Sequence, residues 1–161
     1  MNEKITYEKT IKKLENLPSR EKQSPKQKKF FSEISAALMT AHLEYLVEEK
    51  NWFAGIVVSA SMLDFAGKTR LLWSQKTASE IETRKINELK FAETIKQLLK
   101  RKVIDKSTFD KMEEIRHARN EAAHDLLHEV ALSLEKKPND SLEGCIRRAI
   151  IIVKILFSGA D

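Results

Sequence analysis

Cysteine occurs once in this 161-residue chain, at position 145, so no disulfide can form within it and a reducing compartment is its natural setting. Four glycines and three prolines leave little material for hairpin turns, which puts β-strands at a disadvantage. Long hydrophobic runs are also missing. The longest, Ala149-Ile150-Ile151-Ile152-Val153, is broken by Lys154 and is too short to span a bilayer. Met1 to Leu14 alternates Lys and Glu with scattered apolar residues, a pattern unlike a secretory leader, so a cytoplasmic location away from membranes is expected. What is present is ordinary for a soluble domain: 42% hydrophobic and 33% charged residues, with a formal charge of +5. That charge permits a nucleic-acid partner without establishing one. The length suits one domain over 1–161, with an N-terminal helix and basic linker over 1–27 and a bundle over 28–161.

Periodicity predicts an all-α fold, a mostly antiparallel bundle of about five to six helices. A short charged helix over 2–16 ends at the basic polar stretch Pro18 to Pro25. The second runs over 28–50, with Phe30, Phe31, Ile34, Leu38, Ala41 and Tyr45 at helical spacing, and the third over 51–75. A fourth starts near Thr77, where Thr77-x-x-Glu80 has capping-box form, and carries Ile86, Leu89, Ile95 and Leu98. A fifth opens at Ser107-x-x-Asp110 and runs to Leu134. The sixth opens at Asp140-x-x-Glu143 and ends near Gly159, and its apolar second half suits either the core or a subunit interface.

The fifth helix breaks its own pattern. At about 100° per residue, Met112, Ile115, Ala122, Leu126, Val130 and Leu134 define a buried stripe, and Arg119 falls about 20° from Met112. A guanidinium cannot shed its charge to relieve burial, so this position calls for an acid, a polar cavity or a bound anion. Asp64 lies toward the buried side of the third helix and is the expected partner of Arg119. Asn120 and His124 lie four apart on the border of the stripe, where the amide can orient the imidazole or a substrate. His117 and His128 extend a polar seam beside them.

The run Ile115-Arg116-His117-Ala118-Arg119-Asn120-Glu121-Ala122-Ala123-His124-Asp125 resembles the signature of the HEPN superfamily, in which Arg and a polar residue precede His by four to six positions from the Arg. The lead-in Leu98 to Lys106 and the run Ser59 to Asp64 also look like parts of that pattern. The resemblance implies a metal-independent endoribonuclease acting as a homodimer, in a toxin, defence or stress-response setting. Arg119 would hold the phosphate, Asn120 would be the orienting group and His124 the acid–base residue, with Arg116 and Asp64 in support. Such chemistry needs an imidazole to move protons near neutrality and a guanidinium to stabilise developing negative charge. Arg119 and His124 lie about 140° apart on one ideal helix, which a groove shared by two copies would ease.

RNA is therefore the expected ligand and a second copy the expected partner, with no cofactor and no metal. An antitoxin or regulatory protein is a further expected partner. Leu126 stands where family members controlled by a nucleotidyltransferase often carry Tyr, which disfavours that pairing. Alternatives stay open: a non-catalytic HEPN-like module binding RNA, nucleotide or protein, or a structural dimer with a buried Arg–Asp pair. Which of Arg116 and Arg119 contacts phosphate is open too. His124 and His128 offer spacing for zinc, and Glu114-x-x-His117 and Glu121-x-x-His124 offer the spacing of bundle metal sites. The stretch Arg20 to Lys29 reads as a solvated linker or a phosphate-contacting patch.

Overall fold

The computed structural model describes residues 2–75, 79–129 and 140–158, with side chains over 9–75, 79–123 and 142–158. The described residues form α1 (Asn2–Glu15), a 3-10 turn (Arg20–Lys22), α2 (Pro25–Glu48), α3 (Trp52–Trp73), α4 (Glu80–Asn87), α5 (Phe91–Lys100), α6 (Lys106–Glu129) and α7 (Asp140–Ser158), and no strand. The all-helical expectation holds, with seven α-helices among the described residues where five to six were expected. The extra one arises because the predicted fourth helix divides. Lys90 adopts an extended conformation and the Glu93 carboxylate accepts its N–H at 2.9 Å, so a new N-terminus forms where the periodicity runs on. No helix of the described residues is long and apolar enough to cross a membrane.

Capping residues shift several boundaries. Ser24 caps α2 with Gln27 reaching back to it, and Pro25 takes the first helical position, where its missing N–H costs nothing. The box that opens α4 is Ser79-x-x-Glu82, two residues beyond the expected one, and Thr77 itself lies outside the described residues. The scarcity of glycine has a visible consequence at two helix ends. Lys50 and Lys102 take the left-handed conformation, φ 53° and 56°, that glycine usually supplies after a helix. At the first, Lys50 N–H donates to Val47 O and Asn51 N–H to Leu46 O; at the second, Lys102 N–H donates to Leu99 O and Val103 N–H to Leu98 O. Both ends close in the Schellman manner with a side chain where it is sterically costly.

α3 is the axis of the bundle. It packs against α2, α4, α5, α6, α7 and the 3-10 turn, and Ile56, Leu63, Ala66 and Leu71 have no exposed surface. Small residues let its neighbours in close. A Cβ at Gly55 would collide with Ile146 of α7, and one at Gly67 would lie 2.9 Å from both Leu98 and Thr94 of α5. Ile146, Ala149, Ile152, Val153, Leu156 and Phe157 of α7 are buried, so its apolar half is mainly core, although Ile151 and Ile155 stay exposed. Cys145 is buried and free. Trp73 is buried and Trp52 is packed against the core.

Within the stretch expected as a solvated linker or phosphate-contacting patch, Arg20 is docked on the bundle, while Lys22, Lys26 and Lys29 are exposed. Arg20 donates to Thr69 Oγ1 and Asn87 Oδ1, both at 2.8 Å, and lies 4.9 Å from the Phe65 ring centroid. Its backbone carbonyl accepts from Trp73 Nε1 at 3.1 Å. Burial pushes the Arg20 guanidinium below its ordinary range, a cost these contacts offset. Arg20 is thus committed to packing, which removes it from any phosphate-binding patch.

Candidate functional site

α6 carries the motif, and its first turns are fixed by a side chain just outside it. Asp105 Oδ1 accepts the Thr108 N–H at 2.7 Å, which holds that carboxyl below its usual range because the bond forms to the charged oxygen. The expected Ser107-x-x-Asp110 cap is not used; Asp110 instead pairs with Lys106 at 2.7 Å. Thr108, Met112 and Ile115 are buried against the core, followed by the partly buried Ala118 and Ala122. Leu126, Val130 and Leu134 lie outside the residues whose side chains are described.

Over residues 116–123 the inward apolar positions are alanines, and the long side chain of Arg119 reaches past them to solvent. Arg119 is exposed, which corrects the expectation that it is set into the apolar stripe. Its Nη1 donates to Asn120 Oδ1 at 3.2 Å, and among the described residues it meets no carboxylate. Asn120 so holds the arginine beside it, and its own amide N–H groups have no partner among the described residues.

The Asp64–Arg119 pair is not formed. Asp64 accepts from Lys68 Nζ at 2.7 Å on its own helix and from Thr94 Oγ1 at 2.7 Å on α5. A half-buried carboxylate with two donors in reach has no need of a third, and it fastens α3 to α5 at the place where Gly67 lets them touch.

Arg116 differs sharply from Arg119. Its Nε and Nη2 both donate to Glu113 Oε2, at 3.0 and 2.7 Å, and Nη2 also meets His117 Nε2 at 2.9 Å. The pair is about one-fifth exposed on each side, whereas the His117 side chain is 64% exposed. Glu113 does not stand out in the sequence, where Glu114 and the histidines carry the metal-like spacing. The spacing Glu113-x-x-Arg116 was the available signal, since residues three apart meet on a helix. Glu114 in turn pairs across to Arg148 of α7 at 3.3 Å, tying the two helices.

His124 follows Asn120 by one turn of α6, and its side chain, like that of His128, lies outside the described residues. His42 is exposed on α2. Among the described residues no three His, Cys, Asp or Glu side chains converge as a metal site requires. The arrangement can thus offer an anion one uncommitted guanidinium, an amide beside it and a second, neutralised guanidinium one turn earlier. No protein-family model matches the chain, and no curated protein or solved structure is significantly similar to it.

Proposed function

We propose that this chain is a HEPN-type RNA-binding domain that cleaves RNA without a metal, with the outward face of α6 as its site. The observation that carries the reading is Arg119: an exposed cation on a core-anchored helix, held by Asn120 and matched by no carboxylate among the described residues. A folded helix that leaves one guanidinium unpaired, while tying Arg116 and Arg148 to glutamates, favours an external anion at position 119. Of the two arginines, Arg119 is therefore the ligand of the scissile phosphate. Asn120 orients it, and His124, one turn on, supplies acid–base chemistry as the HEPN resemblance implies. The net charge of +5 adds a general attraction for a polyanion.

The working form is a cytoplasmic homodimer in which two α6 faces share one RNA strand, under the control of an antitoxin or regulatory protein. The exposed Arg119 and Glu121, with the half-buried Asn120 between them, suit a groove completed by a second copy. Asp64 acts on this site only through the packing of α3.

Incubation of the protein with total RNA in excess chelator, beside an Arg119→Ala/His124→Ala double variant, tests the reading. Cleavage by the wild type alone is expected. Chelator-sensitive cleavage argues for a metal enzyme. RNA retained on a filter with no cleavage by either protein leaves the non-catalytic binding module. A monomer by light scattering at micromolar concentration removes the shared groove.

A further inference from the structure

The first turn of the seam does something the motif itself does not require. A guanidinium only donates hydrogen bonds, so the 2.9 Å contact between Arg116 Nη2 and His117 Nε2 makes that ring nitrogen the acceptor. In the neutral ring this contact favours the His117 proton on Nδ1, the less usual tautomer for an exposed imidazole, whereas a protonated ring would face Glu113 Oε2, 3.8 Å from the same nitrogen. The guanidinium is in turn fixed by Glu113, whose Oε2 takes two of its N–H groups. Counting donors, Nε and both hydrogens of Nη2 are spent, and the two on Nη1 have no partner among the described residues. Glu113 Oε2 is committed to Arg116 and its Oε1 is buried with no partner among the described residues, so loss of Arg116 would strand a charge.

We infer that Glu113, Arg116 and His117 form a second phosphate subsite beside Arg119, in which Glu113 is a positioning residue. It holds Arg116, which sets the tautomer of His117, and the chain presents Nη1 of Arg116 and Nδ1–H of His117 to a neighbouring phosphodiester. This rests on the RNA-binding reading above. Arg116 and Arg119 are three residues apart, about 4.5 Å along the helix axis, and their long arms can serve two phosphates of one strand. The Glu113–Arg116 pair carries no net charge, so it contributes direction rather than attraction. Arg119 supplies the attraction.

Opposite-signed effects separate this from a structural salt bridge. Long-range proton–nitrogen spectra of the histidine rings at pH 8 should show His117 as the Nδ1–H tautomer in the wild type. Glu113→Gln and Arg116→Lys should both return it to the Nε2–H form. A short oligouridylate should shift the His117 ring signals of the wild type. It should bind Glu113→Gln about two- to fivefold more tightly at low salt, because a cation is released, yet leave that variant's ring unshifted. An Nε2–H tautomer in the wild type overturns the inference, whatever the variants do. So does RNA that shifts the Asn120 amide and leaves His117 unmoved, a result that keeps the RNA-binding reading intact. If RNA moves neither, while His117 is the Nδ1–H tautomer, the RNA reading has failed and the subsite falls with it. Should either substitution unfold the protein, the wild-type tautomer and titration still decide the matter.

Discussion

α3 and the stretch 116–123 of α6 are built on opposite principles. α3 is packed on nearly every side, admits its neighbours through Gly55 and Gly67, and has four large or small apolar side chains with no exposed surface. Over 116–123, α6 turns only alanines among its apolar side chains toward the core, and its arginines bond to neighbours on the same helix. On the proposed function the two regions divide the work: substitutions in α3 should move the melting temperature, and those at Arg119 and Asn120 should move RNA binding, whereas Arg116, paired with the largely buried Glu113, serves both.

The largest expected effect lies in α3. Leu63→Ala, at a position with no exposure, should cost about 2–5 kcal/mol in denaturant unfolding, since a methylene cluster is lost and a cavity left. A loss under about 1 kcal/mol would mean that α3 is not the packed axis described. Asp64→Ala should cost about 1–3 kcal/mol by leaving Lys68 short of its acceptor and Thr94 with only the longer bond to Lys90 O, and by cutting the tie between α3 and α5. Its purified folded form should still bind RNA as the wild type does. If Asp64→Ala leaves stability alone and abolishes RNA binding, the carboxylate belongs to the site and the division between the two regions is drawn in the wrong place.

Smaller effects come from the helix ends. Lys102→Gly relieves a left-handed side chain and should stabilise the protein by about 0.5–1 kcal/mol, read as a shift in the urea midpoint. The Asp105 cap gives a pH signature with a definite sign. Its carboxyl titrates below the ordinary value when folded, so its contribution is complete above that value and disappears as pH falls through the lowered one. The melting temperatures of the wild type and Asp105→Ala should differ near neutrality and converge in strong acid. Parallel curves throughout would show that the charge on Asp105 does no capping.

The sequence made the helical class legible because apolar spacing persists through α2, α3, α6 and α7. Few glycines and prolines interrupt it. The break between α4 and α5 was not legible, since Lys90 and Glu93 form a cap from residues that are equally at home inside a helix. Arg20 read as linker because its partners Thr69, Asn87 and Trp73 are distant in sequence. The motif was visible as a string, but the environment of its arginine was misjudged. A helical wheel assumes that a stripe is covered along its whole length, and between Ile115 and Ala123 only two small, partly buried alanines follow on the inward side of α6. That error changed the meaning of Arg119, from a buried charge demanding Asp64 to an exposed one available to a ligand.

The most direct measurement is the salt dependence of single-stranded RNA binding by the wild type and Arg119→Ala, with melting temperatures taken on the same samples. Each phosphate neutralised on a single strand contributes about 0.7 to the slope of log affinity against log salt. Arg119→Ala should lose about that much slope and bind more weakly, with stability unchanged within about 0.5 kcal/mol. An unaltered slope, or a loss of binding that merely follows a loss of folding, would contradict the placement of Arg119 at the phosphate.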